Sequence, residues 1–355
     1  MPARRSARPP PAATSPVGQR SGGAQRSRAE RSRRGERRSR RRNPGWCSIG
    51  AVSGLTTVRA SRVQLTPPLD LALSLEGFRR WGDDALDRWD GRRLLRTVRI
   101  ANRAVAFRAT EVGWLGAPSL AVQTEPAEVG RGLAGKVIAA AAAPFVVAPA
   151  EFTELCARDP VIAALDRKFP GLRPVLQTDL FTALVRSVTA QQLSLRWAAV
   201  VRRRLVDRFG EHHSFTDGDW VRSLSAARMA EADVPELRAL QLSRRQAETI
   251  IEVARACLDG RLDQERLAVA PEAAVIGELI RLRGIGRWSA EWILARTFGR
   301  PVVVAGDLGV RKAVARAYLG APIASETEVR RATGHWGAAA TIAQALLLEG
   351  LAAGD

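Results

Sequence analysis

Residues 282–289 read Leu-Arg-Gly-Ile-Gly-Arg-Trp-Ser, with two glycines two apart between helical patterns. Gly284 and Gly286 permit positive φ and close backbone approach, and Ile285 between them can anchor a turn into a core. The amides at the start of the next helix then point outward, and a helix N-terminus attracts anions. Arg287 adds a charge there and Ser289 a hydroxyl. The segment reads either as a phosphate site or as a plain tight turn between helices. Asp307 follows 21 positions after Gly286. A helix over Trp288–Phe298 runs about 16 Å away from the turn, and six extended residues, Pro301–Gly306, can return roughly 20 Å. Asp307 can therefore lie beside Trp288. A carboxylate in that place can stabilise a developing positive charge or orient water. It can equally be the N-cap of Leu308–Leu319, and both roles can hold together, the helix N-terminus favouring the charged form. Trp288 and Trp292 share a helix face, as a core stripe or as a wall on which a flat or cationic group stacks.

The elements that must hold these residues change character along the chain. Residues 58–125 are short and β-like. Val58–Leu65 alternates, Leu69–Leu75 continues after Pro67-Pro68, and Leu94–Ile100, Ala104–Ala109 and Ser119–Thr124 follow. Asp83–Trp89 has helical spacing, and Gly132–Ala143 is Ala-rich and helical in pattern. An α+β domain with an antiparallel sheet is expected over 52–150. From Phe152 onward the apolar period is 3.6 with no strand pattern, and an all-α domain of about ten helices is expected over 151–355. Its helices include Asp159–Lys168, Leu180–Ala190 with Asp179 as N-cap, Leu193–Phe209 closed by Gly210, and Arg244–Leu258 opened by Ser243. Pro271–Leu282, Trp288–Phe298, Leu308–Leu319, Glu326–Ala332 and Ala339–Leu351 complete the set.

Composition bounds the chemistry. The chain has 355 residues, 55 Lys+Arg against 36 Asp+Glu, a net charge of +19 and 46% hydrophobic residues. Length fits two or three domains, and the apolar content excludes full disorder. Cys47, Cys156 and Cys257 are too few for a disulfide scaffold or a four-cysteine zinc or iron–sulfur site. His212, His213 and His335 leave few ligands for a transition metal. The longest apolar stretch, Val137–Ala150, contains Pro144 and is too short to span a bilayer, so no membrane partner is expected. Residues 1–43 hold 14 Arg against Glu30 and Glu36, which is +12 of the total +19. Residues 1–51 are expected to be disordered. They read as a nucleic-acid arm, as a transit peptide, or as the product of a mis-called start with Val52 or Val58 as the true first codon. The excess of Arg implies a polyanionic partner.

The stretch Leu282–Lys312, LRGIGRWSAEWILARTFGRPVVVAGDLGVRK, resembles the helix-hairpin-helix DNA glycosylase superfamily through Leu282, Gly284, Ile285, Gly286 and Asp307. FPGLRP (Phe169–Pro174), QTDLFTALVRSVTAQQLS (Gln177–Ser194), LSRRQAETI (Leu242–Ile250) and DGRLDQERL (Asp259–Leu267) are similar to the DNA-3-methyladenine glycosylase II branch. Pro67–Asp70 and Asp83–Gly91 resemble that branch's N-terminal β-rich domain, so the resemblance covers about residues 58–355.

The resemblance implies an enzyme that flips out alkylated bases of the 3-methyladenine and 7-methylguanine type and excises them, leaving an abasic site. It implies Asp307 at the sugar, where N-glycosidic cleavage develops positive charge. Trp288 and Trp292 would form the base pocket. Trp336 matches a family Trp and would either join them or pack on the solvent side. Gln192 falls at the position of the wedge that fills the gap in the duplex, with Gln191 and Leu193 beside it; the alternative is a solvated helix-end Gln pair. Gly284, Ile285, Gly286, Arg287 and Ser289 would face DNA phosphate, with a monovalent cation on the hairpin carbonyls and no other metal or organic cofactor. Members that also nick the strand carry a Lys two residues after the second hairpin glycine; here Trp288 stands there, which implies base removal alone. The implied partner is double-stranded DNA with damaged bases, and the implied state is a monomer in the cytoplasm, on the bacterial nucleoid. Two other readings stay open: a hairpin module that binds DNA without chemistry, and a glycosylase for deaminated or oxidised bases. Arg283 and Arg287 replace the usual prolines, and GAAATIAQALL after Trp336 lacks the Arg-Pro and aromatic residues common in relatives.

Overall fold

The computed structural model describes residues 60–100, 103–124 and 131–354; the expected tail of residues 1–51 lies outside them. Five antiparallel strands form one sheet in the order β1-β5-β4-β3-β2. They are β1 (Ser61–Gln64), β2 (Asp87–Trp89), β3 (Arg93–Ile100), β4 (Arg103–Glu111) and β5 (Ser119–Thr124). One face carries Leu94, Val98, Phe107 and Val122 into a core shared with helix α1 (Leu71–Arg80) and helix α2 (Arg131–Ala142).

Two expectations are corrected here. Leu69–Leu75 alternates in sequence, yet from Leu71 it is the first turn of helix α1. The Asp70 carboxylate accepts the Leu73 amide at 2.8 Å, and Leu71 and Leu75, four apart, are both fully buried, so capping and i,i+4 burial outweigh the alternation. Asp83–Trp89 is not helical: it ends in β2, with Asp84 and Asp87 buried against arginines.

Thirteen further α-helices follow among the described residues: α3 (Glu151–Arg158), α4 (Pro160–Lys168), α5 (Leu180–Ala190), α6 (Leu195–Phe209), α7 (Ala226–Glu231), α8 (Val234–Ala239), α9 (Arg244–Leu258), α10 (Gln264–Val269), α11 (Glu272–Leu279), α12 (Arg287–Arg296), α13 (Leu308–Val314), α14 (Glu326–Thr333) and α15 (Ala340–Ala353). Asp179 and Ser243 cap α5 and α9 as expected. The expected absence of strands after Phe152 is also corrected. Gly210 ends α6 but leads straight into β6 (Gly210–Ser214), which pairs with β7 (Trp220–Leu224) across the Asp217-Gly218 turn. Phe215 and Val221 of this hairpin cover Leu95 and Ala106 on the sheet's second face, burying apolar surface that would otherwise meet water.

Two helical cores meet at the site. The first joins α5, α6 and α9 to α12 through Leu184, Leu205, Ile250 and Ile293. The second joins α4, α13 and α15 through Ile162, Val310, Val314 and Leu346. A buried ion network ties the sheet to the first core. Arg186 bonds Asp84 and Asp87 at 2.8 Å each, Arg202 bonds Asp84 at 2.7 Å, and Arg96 bonds Asp87 at 2.5 Å. One helical run, Glu326–Ala353, is long and apolar enough to cross a membrane by length and composition, but its Trp336, Ile342 and Leu346 are buried in the protein's own second core.

Candidate active site

The turn between α11 and α12 has the geometry its glycines suggest. Ile285 is buried, and its amide donates to the Leu282 carbonyl at 3.1 Å. Gly284 sits at φ +95°, and a Cβ there would overlap the Thr249 hydroxyl of α9. That hydroxyl donates to the Arg283 carbonyl at 2.9 Å, locking the turn onto α9. Gly286 differs: its φ is −102° and a Cβ would meet nothing within 4 Å. Neither backbone strain nor internal packing demands glycine at 286, so its bare surface faces outward, beside the free amides that open α12.

The return loop brings Asp307 to Trp288, as the chain-length argument anticipates. Val304 N donates to Gln344 Oε1 at 2.8 Å, which pins the loop to α15. Asp307 Oδ1 then accepts the Val310 amide at 3.1 Å as the N-cap of α13. Its other oxygen, Oδ2, accepts the Trp288 indole N–H at 3.2 Å. The carboxylate is thus at once the cap of α13 and the partner of the Trp288 indole. Each oxygen keeps a lone pair, and the group is partly exposed where the two cores meet. Trp288 and Trp292 are both partly exposed on the same side of α12.

Other predicted residues are redistributed. Trp336 is 1% exposed in the second core, with its ring 6.3 Å from Tyr318 and 6.5 Å from His335. It is corrected from a pocket residue to a core residue. Beside it, Tyr318 and His335 both donate to buried Asp159, at 2.7 and 2.8 Å. Burial alone would raise the Asp159 pKa, but those two bonds hold it below the usual carboxylate range. Ser289 is fully buried, and its hydroxyl accepts Gln191 Nε2 at 3.3 Å, so it is a brace rather than a phosphate ligand. Gln191 Nε2 also donates to the Gly284 carbonyl at 3.1 Å; this committed amide corrects Gln191 from wedge to support. Leu193 packs against the first core. Gln192 alone of the three projects as an exposed side chain, at φ +60°, a conformation that costs a non-glycine residue about 1 kcal/mol or more and gathers at functional sites.

Two contributors were missed in the sequence. Buried Glu291 bonds Arg287 at 2.8 Å and Arg330 of α14 at 2.7 Å, holding two exposed guanidiniums beside the hairpin. Only its i,i+4 spacing to Arg287 is visible in the sequence. Thr249, 34 residues before Arg283, fixes the turn at Gly284, and nothing local announces it.

Among the described residues no group of three or more His, Cys, Asp or Glu could hold a metal ion. A fixed carboxylate, a paired indole wall and a backbone turn with outward amides can together hold a phosphodiester, stack a flat group and stabilise positive charge at one carbon. Residues 185–338 match the family model of the HhH-GPD superfamily base excision DNA repair protein. This match places residues 185–338, a little under half of the chain, with the helix-hairpin-helix DNA glycosylase superfamily. It is 31% identical over 150 residues to a DNA-3-methyladenine glycosylase of Bacillus subtilis, covering 42% of this chain and 50% of that one. It is 31% identical over 128 residues to DNA-3-methyladenine glycosylase 2 of Escherichia coli, covering 36% and 44%. The chain thus spans about half the length of the curated relatives it matches. The solved 3-methyladenine DNA-glycosylase of Archaeoglobus fulgidus superposes with a TM-score of 0.71 at 25% identity, over 82% of this chain and 98% of that one.

Proposed function

We propose that this protein is a monofunctional DNA N-glycosylase that flips alkylated bases out of duplex DNA and excises them, leaving an abasic site for base excision repair. The observation that carries the reading is the Trp288–Asp307 hydrogen bond, which sets a stacking surface and a carboxylate edge to edge beside the hairpin. Indole attracts cationic rings through its face, and 3-methyladenine and 7-methylguanine are cationic in DNA. Once such a base lies on Trp288 and Trp292, its sugar falls near Asp307. The carboxylate then stabilises the oxocarbenium character of the transition state and orients water toward the carbon that loses the base. The names of the relatives support the same substrate class.

The remaining parts follow from placement. Outward amides of α12, with Gly286 and Arg287, take a phosphate beside the extruded nucleotide. Gln192 enters the gap it leaves. The hairpin carbonyls of Leu282, Arg283 and Gly284 each accept one internal hydrogen bond and keep one lone pair for a monovalent cation, on which no step depends. The partner is duplex DNA with a damaged base, met by a monomer in the compartment that holds the chromosome, and the sheet region 52–150 and helical region 151–355 act together as its two domains. Trp288 at the position of a Schiff-base lysine limits the reaction to base removal. The test is incubation of purified protein with methylated duplex, followed by chromatography of released bases and alkali treatment of the strand. Free methylated purines and alkali-labile sites are expected; borohydride trapping of a protein–DNA adduct would contradict the monofunctional assignment.

A further inference from the structure

Helix α12 is enclosed along most of its length: Ser289, Ala290, Glu291, Ile293, Leu294 and Ala295 are all buried. Beyond the exposed first residue, three side chains keep contact with solvent, Trp288, Trp292 and Arg296. They are four apart and so line one side of the helix. Arg296 extends the stacking wall one turn, about 6 Å, further in. Side chains on a helix tilt toward its N-terminus, so the guanidinium reaches back toward the level of Trp292 rather than away from it.

Among the described residues this guanidinium has no hydrogen-bond or ion-pair partner. The other deeply placed arginines are all paired: Arg96 with Asp87 and the Leu176 carbonyl, Arg186 with Asp84 and Asp87, and Arg202 with Asp84. Enclosure lowers the basicity of Arg296; Asp307 partly offsets this, and Arg96 adds to the lowering. Asp307 therefore lies within electrostatic reach without contact. A guanidinium carries five donors in a planar fork, and since none of the Arg296 nitrogens is both buried and unpartnered, water meets them in the free protein. A ligand acceptor that replaces this water meets a fork with no protein partner to give up.

On the glycosylase reading above, we propose that Arg296 is a specificity residue that donates to the C6 carbonyl of the flipped purine. With the sugar at Asp307 and the ring on Trp288 and Trp292, the edge of the base remote from the sugar is the one that meets Arg296. Purines with a C6 carbonyl, 7-methylguanine among alkylated bases and hypoxanthine among deaminated ones, present an acceptor there. Hypoxanthine offers the full O6/N7 edge to a guanidinium fork, and 7-methylguanine, whose N7 is methylated, offers O6 alone. 3-Methyladenine instead presents an amino donor at C6, and it gains nothing from Arg296. The substrate class singled out is thus the C6-oxopurines.

The full chain and Arg296→Met are compared on methylated DNA that releases 7-methylguanine and 3-methyladenine in one tube, and on a hypoxanthine-containing duplex. Rates are read as ratios to 3-methyladenine, which cancels any loss of folded protein. One charge-assisted hydrogen bond predicts that Arg296→Met lowers both ratios about tenfold or more. If Arg296→Met does not accumulate folded, Arg296→Gln keeps polarity without the charge and the fork, and it should lower the ratios in the same direction. Ratios within twofold of the parent, with all three bases released, overturn the role of Arg296 and leave the glycosylase reading standing. Release of no base by the parent chain overturns both.

Discussion

Two glycines two residues apart should respond to the same substitution in opposite ways. At Gly284 a methyl group would overlap the Thr249 hydroxyl, and the backbone lies at φ +95°. The strained backbone costs Ala about 1–2 kcal/mol, and overpacking a fixed neighbour costs a similar amount again. Displacing Thr249 also weakens the one bond its hydroxyl can donate, shared between the Arg245 and Arg283 carbonyls at 2.8 and 2.9 Å and worth about 1 kcal/mol in all. Gly284→Ala should therefore destabilise by about 3 kcal/mol or more, lowering Tm by about 6 °C or more in a body of this size. Adding Thr249→Ala should recover part of the loss, since the overlap is relieved and the backbone strain is not. At Gly286 the φ is −102° and the added methyl meets nothing, so Gly286→Ala should leave stability unchanged or raise it by about 0.5 kcal/mol. Its defect should appear only with DNA. A methyl between the turn and a phosphate should weaken duplex binding about tenfold or more, the size of a lost charge-assisted bond. Calorimetric melting and fluorescence anisotropy on one duplex at fixed salt measure both. A Gly286→Ala protein that binds DNA like its parent would refute the placement of phosphate at the hairpin, and a Gly284→Ala protein that melts like its parent would refute the packing account.

Gln191→Ala leaves the Gly284 carbonyl and the buried Ser289 hydroxyl without their shared donor, and should cost about 1–2 kcal/mol in urea melts while weakening DNA binding. Asp84 is buried; burial alone would raise its pKa, but Arg186 and Arg202 beside it hold it below the usual range. A depressed carboxylate pKa contributes stability that is present above its unfolded value, about 3.9, and is lost as pH falls through the folded value. Acid melts should thus show stability falling below about pH 4, and Asp84→Asn, which leaves two buried guanidiniums short of a charge, should cost about 3–5 kcal/mol at pH 7 and flatten that fall. Burial pushes the Cys257 thiol up to about 12, so Cys257 should resist iodoacetamide at pH 8 in the native protein and react after unfolding, as site-resolved mass spectrometry would show.

The site was more legible in the sequence than the elements around it. The spacing from Gly286 to Asp307 implies a helix and a return loop whose lengths nearly cancel, and this alone places the carboxylate beside Trp288. The Gly-Ile-Gly run likewise predicts a turn with a buried anchor. Long-range roles were not legible. Ser289 and Trp336 have the chemistry of ligands, but burial gives Ser289 to Gln191 and Trp336 to a core built from α4, α13 and α15. Leu69–Leu75 satisfies both periods, and the Asp70 cap decides between them. The β6–β7 hairpin did leave a signal, an Asp-Gly turn between two short alternating runs, which the strong helical period on either side obscured. The pairing of Asp84 and Asp87 with three arginines joins distant segments, and no local pattern encodes it.

The central claim is that Asp307 acts on the sugar rather than serving as a helix cap alone. Asn caps a helix nearly as well as Asp, so Asp307→Asn should change stability by only a few tenths of a kcal/mol. It removes the negative charge opposite the developing cation, an electrostatic contribution worth about a factor of 100 to 1,000 in rate. The measurement is single-turnover release of methylated purines and of hypoxanthine by parent and variant, with duplex binding followed in parallel. The account predicts a folded variant that binds damaged DNA and excises it at least about a hundredfold more slowly, with a larger deficit for neutral hypoxanthine than for 3-methyladenine, whose charge already helps it leave. Excision by Asp307→Asn at the parent rate would contradict it and reduce the carboxylate to its place at the head of α13.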